Sequence, residues 1–170
     1  MTKLPLIINF VLFQTVWFLS LFLEAQSVLY TSVIVVLMFV LSKQHKHDAL
    51  LLAKALPIAL LCEYTAVQLS LLEFKVSPFP LWLALLWAAL LLCINTSMAF
   101  ITKLKFWQAY FVCLVFAPIS YYSGAKFGVL SIYTPVWAFW LLYGALWAAA
   151  FTLILFINQK IKAFLNISKQ

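Results

Sequence analysis

Leu4–Leu23 reads Leu-Pro-Leu-Ile-Ile-Asn-Phe-Val-Leu-Phe-Gln-Thr-Val-Trp-Phe-Leu-Ser-Leu-Phe-Leu, with no charged residue in it. At 1.5 Å of rise per residue, about 20 mostly apolar residues cross a hydrocarbon core of about 30 Å. The run meets that length. It also exceeds the roughly 7–15-residue apolar core of a cleaved signal peptide. Ala25-Gln26-Ser27 loosely resembles a cleavage site, but Asn9 and Gln14 suit a helix that is retained. We therefore read 4–23 as a first membrane helix.

Five further apolar segments follow, at 27–41, 49–72, 80–101, 106–123 and 136–158. The 170 residues are 67% hydrophobic and 9% charged, against about 25% charged for an ordinary soluble domain. Six crossings would use about 120 residues, leaving only short connections. The expected fold is all-α, a six-transmembrane-helix bundle forming a single integral membrane domain over 1–170.

The basic residues give an orientation. All eleven are lysines. With six crossings, Lys3, Lys43, Lys46, Lys103, Lys105, Lys160, Lys162 and Lys169 fall on one side, and only Lys75 and Lys126 on the other. Lys54 lies within the third segment. Because cytoplasmic loops carry the excess of Lys and Arg, both termini are expected in the cytoplasm (N-in/C-in). A miscount by one segment would largely abolish the asymmetry, so it supports the number as well as the direction. The net charge of +7 then sits beside anionic headgroups rather than nucleic acid. Trp82, Trp107 and Trp137 near segment ends read as interfacial indoles.

Polar groups at membrane depth are costly and therefore candidates for function. Glu63 lies about 21 Å along the third segment, too deep for a short carboxyl to reach the headgroups. Its expected face holds Leu56, Ala59, Ala66 and Ser70, where small residues permit close helix contact. At similar depth in the outer half of the bilayer, the helical stripes bring Ser20, Glu24, Ser120, Tyr121 and Trp140, with Lys126 above. These seven residues, Glu63 included, form the candidate ligand site, an apolar cavity with a few convergent polar groups. Nearer the cytoplasm, Asn9, Lys54 and Asn95 share a depth and form a candidate inner polar layer. Lys54, about 7 Å from the end of its helix, can also snorkel to the headgroups.

Other features point to structure. Cys62, Cys93 and Cys113 lie inside apolar segments and read as small buried hydrophobes. His45 and His47 fall in the polar loop 43–48 and read as solvated, with no third ligand for a metal. Gly124-Ala125-Lys126-Phe127-Gly128 has GxxxG spacing but sits at a segment end, where a turn is expected. Pro118 frees a carbonyl near Leu114 and invites a kink. Trp137, Trp140, Gly144, Trp147 and Phe151 form one face of the last segment, a packing seam or a pocket wall. The sequence shows no HExxH, GxSxG or Walker loop. It implies no cofactor and gives catalysis little support.

Asn9-Phe10-Val11-Leu12-Phe13-Gln14-Thr15-Val16-Trp17-Phe18, the Trp87…Asn95-Thr96-Ser97 stretch and Pro118-Ile119-Ser120-Tyr121-Tyr122-Ser123-Gly124-Ala125-Lys126-Phe127-Gly128 together resemble a family of small multi-pass bacterial inner-membrane proteins of unknown function. The resemblance spans nearly the whole chain. It implies a Gram-negative inner (plasma) membrane and no known activity, with an associational link to lipid-modifying enzymes. The expected function is binding or translocation of a small amphipathic or lipid-like molecule in the outer cavity. The alternatives are an accessory subunit of a membrane lipid-modifying system, or a membrane-embedded enzyme using Glu63 or Tyr121. The partners left open are the bilayer, a lipid-like small molecule, a membrane-protein partner and a second copy of the chain.

Overall fold

A computed structural model describes residues 4–167; Lys3 and Lys169 of the lysine tally lie outside them. Among the described residues there are six α-helices: α1 (Leu4–Leu23), α2 (Val28–Leu41), α3 (His45–Gln68), α4 (Leu81–Cys93), α5 (Phe106–Lys126) and α6 (Val136–Ile167). Two two-residue strands, β1 (Glu73–Phe74) and β2 (Leu130–Ser131), pair antiparallel into a small ribbon. Three helical stretches, Leu4–Leu41, His45–Gln68 and Val136–Asn166, are long and apolar enough to cross a membrane.

These stretches give the chain the makeup of a membrane protein. On α2, Leu29, Val33, Val36 and Val40 are exposed at steps of three and four, and Leu4, Ile7 and Val11 are exposed on α1. A soluble monomer rarely leaves such contiguous apolar faces in water.

The stretch Leu4–Leu41 is two helices rather than one. A one-turn 3₁₀ segment at Glu24–Ser27 joins α1 to α2, and the two pack on each other. Glu24 takes a left-handed φ of 45° at the joint. The Ser27 hydroxyl donates to the Glu24 carbonyl (2.6 Å), satisfying a backbone group freed by the turn.

Helix α4 packs against α1, α2 and α3, while α6 packs against α3 and α5. At the crossing of α5 and α6, Gly144 has no side chain because there is no room for one. A Cβ there would stand 2.8 Å from the Leu114 carbonyl oxygen and 3.0 Å from the Pro118 ring. Leu114 is the residue four before Pro118, whose ring lacks the N–H that would have bonded that carbonyl.

The helix bounds differ from expectation in several places: α3 ends at Gln68 rather than 72, α6 runs on to Ile167 rather than 158, and three further differences bear on the site. Helix α3 starts at His45 rather than 49, so the polar loop becomes its first turn. Asp48 stands at that N-terminus, where negative charge is favoured, and accepts a hydrogen bond from Ser42. Helix α5 runs on to Lys126 and ends in a Schellman turn, with Gly128 at φ 73°. There Val129 N–H donates to the Gly124 carbonyl and Gly128 N–H to the Ala125 carbonyl, both at 3.0 Å. The GxxxG spacing thus marks a helix end.

The third difference shapes the molecule most. The fourth helix stops at Cys93 rather than 101, and residues 94–100 are irregular turns. Asn95, Thr96 and Ser97 compete for backbone hydrogen bonds and disfavour helix. Thr96 Oγ1 donates back to the Leu92 carbonyl at 3.3 Å. Thirteen helical residues span only about 20 Å, short of a full crossing.

Candidate functional site

Glu63 is fully buried (0% exposed). Its position on α3 follows from its neighbours: Ala55, Ala59, Cys62 and Ala66 are also buried and let the other helices approach closely. Ala59, Glu63 and Ala66 of the expected face are buried together, while Leu56 is only partly buried and Ser70 lies exposed beyond the end of α3.

Three other helices each send a donor to the carboxyl. Trp87 Nε1 on α4 donates to Oε1 at 2.9 Å. The Tyr121 hydroxyl on α5 donates to the same oxygen. The Tyr143 hydroxyl on α6 lies 3.3 Å from both oxygens. Burying a carboxyl without partners is severely unfavourable, and here each oxygen has at least one donor. The rings also pack together: Tyr121 and Tyr143 centroids are 4.7 Å apart, and Phe139 stacks on Tyr143 at 4.9 Å.

Beside this cage is a cavity of about 40 Å³. Trp17, Ser20 and Leu21 of α1, Trp82 and Leu83 of α4, Ser120, Tyr121 and Gly124 of α5, and Phe74 and Leu130 of the ribbon line it. Tyr121 belongs to both features: its ring walls the cavity and its hydroxyl holds Glu63. Trp17 Nε1 donates to Ser120 Oγ at 3.2 Å, tying α1 to α5. Ser20 is 1% exposed, and its hydroxyl has no hydrogen-bond partner. Trp82, expected at the membrane surface, is instead buried as a cavity wall; Trp107 and Trp137 are exposed.

The remaining candidates stand apart. Glu24 accepts from Lys75 Nζ at 2.6 Å in a surface ion pair near the ribbon. Lys126 is exposed with its ammonium 5.3 Å from the Tyr122 ring centroid, and Trp140 packs against the same ring at 6.2 Å. The seven residues therefore divide into a core group (Ser20, Glu63, Ser120, Tyr121) and three outlying residues, Glu24 on Lys75 and Lys126 and Trp140 on Tyr122. Trp147 stacks between Trp87 and Phe151, making the face of α6 a packing seam over that length.

The inner layer also resolves into separate groups. Asn9 is buried and serves the broken end of α4: its Oδ1 accepts from the Ser97 hydroxyl (2.6 Å) and N–H (3.3 Å), and its Nδ2 donates to the Leu92 carbonyl (3.4 Å). Asn95 forms a reciprocal amide pair with Asn158 of α6, at 2.8 and 3.0 Å. Lys54 is exposed and takes no part in either group.

His47 overturns its reading as a solvated loop residue. It is 4% exposed, with Nδ1 3.3 Å from Asn95 Nδ2 and Nε2 3.5 Å from the Asn158 carbonyl oxygen. Because α3 begins at His45, its first turn directs two consecutive residues inward, and His47 and Asp48 are buried while His45 and Lys46 stay exposed. Leu51, Ala55 and Ala59 separate this cluster from Glu63 on α3.

Sequence reading did not single out Tyr143, Trp82 or Asn158 as members of these groups. Asn158 ends the last apolar segment beside Gln159 and Lys160, where an amide draws no attention. Tyr143 lies one residue, or 100°, from the indole stripe that drew attention instead.

The fold and its two buried polar clusters define a helical protein of membrane-like composition. The chain belongs to DUF2878, a family of proteins of unknown function, which matches it over residues 6–153. Comparison with curated proteins and with solved structures finds no match.

Proposed function

We propose that this is a bacterial inner-membrane protein of six crossings with both termini in the cytoplasm. In this reading it binds or translocates a small amphipathic or lipid-like molecule through the cavity beside Glu63, in the outer half of the bilayer. The observation that carries the reading is Tyr121, which walls the cavity and donates to a fully buried carboxyl. An intramembrane ionisable group beside an apolar cavity with a few polar atoms has the profile of a binding site.

The joint at Glu24–Ser27 supports the crossing number, since it divides Leu4–Leu41 into two helices that pack on each other. The lysine asymmetry supports the direction. The cavity of about 40 Å³ holds only the end of such a molecule, so the rest lies along the bundle or enters when the ribbon moves aside.

Two experiments test the reading. Reporter fusions at Gln44 and Lys75 are expected to report the cytoplasm and the outside respectively; the same compartment for both would overturn the crossing number. Native mass spectrometry of the detergent-extracted protein is expected to show a retained small molecule, lost in Leu83→Trp, which fills the cavity. A protein equally empty, or equally occupied, in both forms would remove the cavity from the function.

A further inference from the structure

Resting on the binding role just proposed, we infer that the cavity receives an uncharged oxygen, a hydroxyl or a carbonyl, held between Ser20 and Ser120, and rejects a carboxylate or phosphate. Ser20 is 1% exposed and lines the cavity, and its hydroxyl has no partner among the described residues. Buried polar groups are nearly always paired, so an unpaired hydroxyl on a cavity wall marks where a guest oxygen fits. Ser120 Oγ already accepts from Trp17 Nε1, which leaves its own proton free to donate. The Tyr121 hydroxyl is committed to Glu63 and is not available to the guest. The cavity thus offers two neutral hydroxyls, one able to donate or accept and one able to donate.

Charge decides the class of guest. No lining residue carries a charge. Behind Tyr121 stands Glu63, a carboxyl, which attracts no anion. The lysine near the ribbon, Lys75, is already paired with Glu24. An anionic head would be buried without a counter-charge, which is prohibitive. A cationic head would find ring faces but no carboxylate to pair with, since all of the Glu63 contacts run to Trp87, Tyr121 and Tyr143. By size, a cavity of about 40 Å³ admits a small terminal group, such as C–C–OH or an ester carbonyl.

The test uses the full chain in phosphatidylcholine nanodiscs and two alkyl diazirine probes of equal length. One ends in an alcohol and the other in a carboxylate, each with its diazirine beside the polar end. Crosslinks are mapped by mass spectrometry. The alcohol is expected to label cavity residues such as Leu21, Trp82 and Leu83 about tenfold more than the carboxylate. Ser20→Ala is expected to cut that labelling about fivefold, the loss of one neutral hydrogen bond, while leaving the melting temperature unchanged or raised. Equal labelling by both probes, stronger labelling by the carboxylate, or alcohol labelling indifferent to Ser20→Ala overturns this inference and leaves the binding role standing. Cavity labelling by neither probe, as for a cavity that holds water alone, overturns both. The comparison of probes on the unsubstituted protein decides the matter even where the variant does not fold.

Discussion

Tyr121 and Glu63, on α5 and α3 and 58 residues apart in the chain, share one hydrogen bond that links the wall of the cavity to the centre of the bundle. The carboxyl collects donors from three helices, so it organises the packing of α3, α4, α5 and α6 at a single point. Tyr121→Phe keeps the ring and removes one donor. The expected loss is about 1–3 kcal/mol, the usual effect of stripping a partner from a buried polar group, read as a lower midpoint in denaturant titration in micelles. Glu63→Leu, which removes acceptor and carboxyl together, leaves three donors unpaired and is expected to destabilise more than Tyr121→Phe. An equal or smaller effect of Glu63→Leu would show that the donors find other partners.

Gly144 makes a sharper steric prediction. Its missing Cβ would meet the Leu114 carbonyl oxygen at 2.8 Å, and neither backbone can retreat without separating α5 from α6. Gly144→Ala is expected to destabilise by about 1–3 kcal/mol despite the better helix propensity of alanine. Gly124 is the control: a Cβ there meets only a Leu130 methyl at 3.5 Å. Gly124→Ala should therefore fold with nearly unchanged stability. The two midpoints, measured side by side, check the assignment of close packing to the first site alone.

The apolar, helical character of the chain was plain in its hydropathy because burial in hydrocarbon leaves a signal in every residue of a segment. The positions of single polar groups were legible only where depth alone placed them. Glu63 and Tyr121 meet because their helices happen to face each other, and Tyr143 joins them through a packing angle that no local pattern encodes. Trp140 shared a depth with Glu63, with Lys126 above it, but both pack on Tyr122 instead. His47 was misread because a polar loop and the first turn of a helix look alike until the start of the helix is known. The unwinding after Cys93 was foreshadowed by Asn95-Thr96-Ser97, yet the apolar residues around it carried the segment as a helix.

The amide pair at the other end of the bundle predicts coupling between α4 and α6. Asn95 and Asn158 exchange two hydrogen bonds, and His47 contacts both residues. A double-mutant cycle of Asn95→Ala and Asn158→Ala is expected to give a coupling of about 1 kcal/mol. Side-chain hydrogen bonds in membrane proteins average about 0.6 kcal/mol each, and this pair has two. His47→Ala added to the double variant should cost less than His47→Ala alone, because its Asn95 contact is already gone. Strict additivity of all three would mean that the cluster is not a unit.

Asn9 makes the last prediction, which concerns the broken helix. Residues 94–100 leave backbone groups without helical partners, and the Asn9 side chain reaches across from α1 to bind the Ser97 N–H, the Ser97 hydroxyl and the Leu92 carbonyl. Asn9→Leu preserves the size and apolar character of α1 but strands the Ser97 N–H and hydroxyl and leaves the Leu92 carbonyl to Thr96 Oγ1 alone. Stranded groups at membrane depth have no water to turn to, so the turn is expected to loosen while the helices persist. The measurement is accessibility of a cysteine placed at Met98, with Cys62, Cys93 and Cys113 replaced, to a small membrane-permeant thiol reagent. Labelling should rise several-fold in Asn9→Leu, with helicity by circular dichroism unchanged. Asn9→Gln, which keeps an amide but shifts it by one methylene, should label at an intermediate rate. If Asn9→Leu labels no faster than the parent, the turn is held by its own backbone hydrogen bonds and α1 contributes nothing to it.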